Sequence, residues 1–168
     1  NIIHAPYSVS FNLILDARYG SSFLSSSIDP DQYISLMWDV INGYFAKLKN
    51  YEEKGLIPIS ICGKAPDWYN GLQYKVLAPK WGFFNEWKNG SHKGDNDYYV
   101  EHIQKEVLDT LDYNSVLIQL ARRSNGKLDS VILLCYEKPG DFCHRHLVAD
   151  WLTNNGTECK EYEVNIWT

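Results

Sequence analysis

No stretch of the 168-residue sequence approaches the ~20 consecutive apolar residues that an α-helix needs to cross a bilayer, so no membrane partner is expected. Positive charge is also short: 16 Lys and Arg stand against 21 Asp and Glu, a formal net charge of -5. Strong nucleic-acid binding through a basic surface needs the opposite balance and is not expected. The four cysteines, Cys62, Cys135, Cys143 and Cys159, are too few and too scattered for a disulfide scaffold, which points to free thiols in a reducing compartment. The N-terminus lacks the basic and apolar regions of a secretory signal, and a cytoplasmic location is expected. A P-loop and a Gly-x-Gly-x-x-Gly turn are missing, and Ala149 stands where a phosphatase-like Cys143 would need an arginine.

Apolar residues make up 45% and charged residues 22% of the chain, the balance of a globular protein, and the length suits one domain spanning residues 1–168. Residues 11–17, 56–62, 74–77 and 130–136 read as strands, and residues 159–166 as a final edge strand. Helical spacing predicts helices over residues 29–53, 80–88, 97–111, 115–123 and 142–154, with Asp141 as N-cap of the last and Pro139-Gly140 as the turn before it. Strands alternating with helices predict a single-domain, Rossmann-like three-layer α/β fold with a mainly parallel sheet.

In such sheets ligands bind beyond the carboxyl ends of the strands. Asp16 and Arg18 share one side of a strand end, as do Cys135 and Glu137. If those strands are neighbours, the four side chains converge. Cys143, His144 and Arg145 fall in the first turn of the last helix, where unpaired N–H groups and the dipole favour an anion or a thiolate. Arg18 and Arg145 supply donors for a phosphate or carboxylate, and Glu137, Asp16 or His144 could move a proton. Cys143 is the better candidate for a reactive thiol, and Cys135 reads more readily as a small core residue than as a nucleophile. On a helix His144 and His146 diverge, so they cannot share one ion from a regular turn. The aromatic residues Trp68, Tyr69, Trp81, Phe84 and Trp87 fit either a core or a stacking surface.

The run Leu133-Leu134-Cys135-Tyr136-Glu137-Lys138-Pro139-Gly140-Asp141-Phe142-Cys143-His144-Arg145 resembles the signature of the domain of unknown function 488 family, Cys-x-Glu followed by a short turn and Cys-His-Arg. Asp16-Ala17-Arg18 is similar to that family's first-strand Asp-x-Arg, and Leu77-Ala78-Pro79 to its middle segment. The resemblance implies a Rossmann-like α/β fold and a site built from Asp16, Arg18, Cys135, Glu137, Cys143, His144 and Arg145. It implies no established reaction.

The expected function is an enzyme acting on a small anionic ligand such as a nucleotide, nucleoside or modified base. In this reading Glu137, Asp16, Cys143 and His144 are catalytic, and Arg18, Arg145, Cys135 and Asp141 bind the ligand. One alternative is a non-catalytic nucleotide- or partner-binding module linked to DNA modification or defence. Another is a thiol-dependent protein, which requires a depressed Cys143 pKa, or a zinc-dependent one. No cofactor is expected; zinc is the minority alternative, because the Cys and His residues lack the tight paired spacing of structural zinc motifs.

Overall fold

Residues 131–135, Val-Ile-Leu-Leu-Cys, are buried at every position. Side chains alternate along a strand, so Val131 and Leu133 enter one core and Ile132 and Leu134 the other. Burial on both faces is the condition for the interior of a parallel sheet. A computed structural model describes residues 40–163. In chain order these residues form β1 (Val40–Tyr44), α1 (Leu48–Glu53), β2 (Ile57–Ser60), β3 (Leu72–Gln73), α2 (Trp81–Asn89), α3 (Asn96–Glu106), α4 (Tyr113–Arg123), β4 (Val131–Cys135), α5 (His144–Asn154) and β5 (Cys159–Glu161).

The five strands make one sheet in the order β3-β2-β4-β1-β5, and every pairing is parallel. Phe83 of α2, Tyr99 and Ile103 of α3, Leu117 and Leu120 of α4 and Val148 of α5 pack on the face that carries Val131 and Leu133. The opposite face is covered by Tyr51 of α1, Phe45, Cys62 and Tyr69. Helices thus flank both faces of a parallel sheet, the Rossmann-like α/β arrangement expected from the alternation of elements. Among the described residues no helix is long and apolar enough to cross a membrane.

Three boundaries differ from expectation. The helix predicted over residues 29–53 is a strand over Val40–Tyr44, and only Leu48–Glu53 is α-helical; the earlier part of that range lies outside the described residues. Val40, Ile41 and Tyr44 satisfy helical spacing, but Asn42-Gly43 is poor helix sequence, and Gly43 is where other side chains close in. A Cβ at Gly43 would sit 2.6 Å from the Tyr51 hydroxyl and 2.8 Å from Ile132 Cδ1, so the strand passes beneath both only because glycine is there.

The strand predicted at residues 74–77 is instead the short β3 two residues earlier, followed by a 3-10 turn at Lys75–Leu77. The helix predicted over 97–111 stops at Glu106, because Val107 leaves helical geometry at φ -122°, ψ -71°. The predicted strand 11–17, with Asp16 and Arg18, lies outside the described residues. Of the final strand predicted over residues 159–166, Cys159–Glu161 is a strand; among the described residues it lies at the edge of the sheet and pairs with β1.

The start of α4 also shows how local chemistry sets a boundary. Asp112 accepts from the Ser115 amide at 2.9 Å and from the Ser115 hydroxyl at 2.6 Å. Replacing Asp112 with Ala should therefore cost about 1 kcal/mol in urea unfolding. A change below a few tenths would show that the cap is not what holds this end of α4.

Candidate functional site

Because β1, β4 and β2 are parallel neighbours, their carboxyl ends form one edge of the sheet, where the connecting loops build binding sites in folds of this kind. Beyond β4 the chain turns sharply: the Asp141 amide donates to the Lys138 carbonyl at 3.2 Å, with Pro139 and Gly140 between them and Gly140 at φ +88°. Proline followed by a glycine in the left-handed region is the signature of a type II turn. Asp141 closes that turn and is exposed. It is therefore not the helix N-cap; that position belongs to Cys143, with extended backbone and no side-chain cap.

Starting α5 at His144 turns its imidazole back under the strand ends. Nε2 lies 2.9 Å from the Ile61 carbonyl, and a carbonyl can only accept, so Nε2 carries the proton. Nδ1 is left with its lone pair, 3.5 Å from Cys135 Sγ. The donor atoms of Cys135, Cys143 and His144 all lie within 4.8 Å of one another, and all three residues are buried. Cys62, just past the end of β2, adds a fourth group, its sulfur 3.4 Å from that of Cys135 and 3.6 Å from the Leu134 carbonyl.

Crowding of thiols sets their ionisation. For Cys135 the hydrogen bond with Cys143 pulls the pKa down, but that with Cys62 and burial push it up and prevail. Cys143 is pushed up by its hydrogen bond with Cys135 and by burial, against a downward pull from His144. Both shifts favour the thiol over the thiolate at Cys135 and Cys143. A thiol-dependent protein requires the opposite shift at Cys143.

Arg145 is fully buried, at 0% exposure. Its Nε donates to Asn42 Oδ1 at 2.9 Å, and Nη1 donates to the carbonyls of Gly43 at 2.8 Å and Glu137 at 2.7 Å. Nη2 donates to Glu161 Oε1 at 2.8 Å and faces His146 Nε2 at 2.8 Å, which must accept from it. All five guanidinium N–H groups are taken by the protein itself, so none is left to grip an anion. Instead Arg145 ties α5 to β1, β5 and the loop after β4. His146 is half-buried against the same Glu161. The side chain of Glu137 is exposed, although its carbonyl serves Arg145.

Aromatic rings pack beside this cluster. Phe45, immediately after β1, packs edge-on against Trp68 (centroids 6.1 Å apart), Tyr69 (5.1 Å) and Tyr136 (5.3 Å). Trp68 and Tyr136 remain 59% and 47% exposed. The Tyr136 hydroxyl donates to the Lys64 carbonyl at 2.7 Å, joining the loops after β2 and β4. Of the other aromatics, Phe84 and Trp87 pack onto the core on the opposite face and Trp81 is exposed on α2. A depression of about 490 Å³ between α3 and α5 carries Gln104, Asp109 and Asp150 but no thiol or imidazole.

Of the expected site residues, the fold brings Cys135, Cys143 and His144 together and places Glu137 on the adjoining loop. Asp141 lies outside the cluster, and Asp16 and Arg18 outside the described residues. Cys62, Asn42 and Glu161 were not anticipated as partners. Cys62 carries a readable signal, since like Cys135 it ends an apolar strand pattern at the carboxyl edge. Its meaning depends on β2 lying beside β4, which no local pattern states.

Fold and cluster together define an α/β domain with a parallel sheet and a thiol–imidazole centre at the carboxyl ends of its strands. Residues 44–156, well over half the chain, match the family model described as the active DUF488-N3 subclade (DUF488-N3a), and the protein belongs to the domain of unknown function 488 family. The match contains Leu77-Ala78-Pro79 and the whole Cys-x-Glu to Cys-His-Arg segment, and begins after Asp16 and Arg18. No curated protein and no solved structure matches the chain.

Proposed function

We propose that the protein is an enzyme acting on a small, planar, anionic ligand of the nucleotide, nucleoside or modified-base class, bound at the carboxyl edge of the sheet. The observation that carries this reading is the pair of exposed rings, Trp68 and Tyr136, standing on Phe45 beside the buried Cys135–Cys143–His144 cluster. Exposed aromatic faces next to convergent polar groups suit a base that stacks while its edge is read. With Arg145 committed to the fold, cationic contacts fall to Lys64 and Lys138, both exposed on the adjoining loops. In this reading Glu137, exposed beside Tyr136, exchanges a proton with the ligand.

Tryptophan fluorescence quenching by a panel of nucleotides, nucleosides and free bases tests the site. Stacking of a base on an aromatic side chain is worth about 1–3 kcal/mol, so Trp68→Ala should weaken the best ligand by roughly 5- to 150-fold. Product analysis on that ligand should then show turnover that Glu137→Gln abolishes while binding persists. Absence of quenching by every member at millimolar concentration would sink the proposal. Tight binding without product would favour the non-catalytic module.

A further inference from the structure

The Cys135–Cys143–His144 cluster has a geometry that stacking does not explain. A tetrahedral ion with metal–sulfur bonds of ~2.3 Å and a metal–nitrogen bond of ~2.0 Å sets its ligand atoms about 3.5–3.8 Å apart. Cys135 Sγ and His144 Nδ1 are 3.5 Å apart, and with Cys143 Sγ the three donors fit within 4.8 Å. They come from three well-fixed places: the last residue of β4, the N-cap of α5 and its first turn.

The imidazole is also prepared in the manner of a ligand. Nε2–H is fixed by the Ile61 carbonyl at 2.9 Å, which sets both the ring orientation and the tautomer and leaves the Nδ1 lone pair aimed at the thiols. A backbone carbonyl holding the far nitrogen is the usual outer contact of a metal-bound histidine. The objection from spacing, that Cys135 and Cys143 are too far apart in sequence for a paired motif, loses its force once the type II turn at residues 138–141 folds the loop back.

We propose that Cys135, Cys143 and His144 bind a thiophilic divalent ion of the zinc class. Binding converts both thiols to thiolates, releases two protons to solvent and forms two metal–sulfur bonds and one metal–nitrogen bond. The resulting centre, two thiolates and a neutral imidazole around a dication, has no net charge, which suits its burial. Cys62 lies against Cys135 but outside the set of donors within 4.8 Å. Among the described residues the triad supplies three donors and leaves a fourth position, the arrangement of zinc sites that bind water or substrate rather than purely structural ones.

The test reads metal directly and needs neither a ligand nor turnover, so it stands or falls apart from the stacking proposal. The full chain, expressed in zinc-supplemented medium and purified without chelator, is assayed by elemental analysis. It is then stripped and titrated with Co²⁺. The expected result is about one ion per chain and an intense near-ultraviolet thiolate-to-cobalt band. Cys135→Ser and Cys143→Ser should each reduce metal to background, whereas Cys159→Ser, whose sulfur lies against Asn42 away from the triad, should retain it. Because a ligand variant can lose metal by misfolding, the cobalt band of the parent protein is the independent readout. Background metal together with no thiolate band in the parent would overturn the proposal, as would full occupancy in the Cys135→Ser, Cys143→Ser double variant.

Discussion

Arg145→Ala should be among the most damaging single changes in the described residues, lowering the free energy of unfolding by roughly 3–5 kcal/mol. The size follows from what the guanidinium leaves behind. Glu161 would remain as a partly buried carboxylate without its strong partner, and Asn42 Oδ1, the Gly43 carbonyl and the Glu137 carbonyl would lose their donors. Breaking one side of a buried pair costs more than the pair contributes, because the desolvated group that survives has nothing to replace it. Arg145→Lys should recover only part of the loss, since an ammonium cannot reproduce a planar fork that serves five acceptors in different directions. Urea unfolding of the parent and both variants provides the comparison. If Arg145→Ala lies within about 1 kcal/mol of the parent, the network does not hold β1, β5 and α5 together.

Ile132→Ala should cost about 2–5 kcal/mol for a different reason, the cavity it leaves. Ile132 is fully buried on the strand between β1 and β2, in register with Ile41 on one side and Pro58 on the other. A strand held by neighbours on both sides has little freedom to collapse into the space of a lost side chain. Ile132→Val should cost only about 0.5–1.5 kcal/mol by the same reasoning. The denaturation midpoint should shift while the urea dependence stays unchanged; a loss below 1 kcal/mol for the alanine variant would mean that this layer repacks freely.

The elements legible from local pattern were those whose periodicity is unambiguous. β4 announced itself as an unbroken apolar run, and α5 and its preceding Pro139-Gly140 turn followed from the residues around it. β1 was hidden because Val40, Ile41 and Tyr44 also fit a helical stripe, and the evidence against a helix was the short pair Asn42-Gly43. The role of that pair is tertiary: Asn42 receives Arg145, and Gly43 makes room for Tyr51 and Ile132. The site was legible as a segment but not as a geometry. Cys135, Cys143 and His144 could be named from their positions, whereas Cys62 joins them only through strand order. Arg145 misled for a physical reason, since an arginine at a helix N-terminus suits an anion equally well whether the anion is a ligand or, as here, Glu161, with two backbone carbonyls beside it.

Strand order also constrains how the chain can assemble during synthesis. β4 lies between β1 and β2, yet it follows them by about 70 to 90 residues in sequence. Until β4 is made, each earlier strand presents an unsatisfied edge to the other with no partner to bridge them, and the sheet cannot close. The last interior strand to emerge is the one that completes the apolar layers on both faces and, nine residues later, delivers His144 to the thiols. Formation of the candidate centre is thereby coupled to closure of the sheet, and a chain stalled before residue 131 leaves the β4-facing edges of β1 and β2 open to association with other chains.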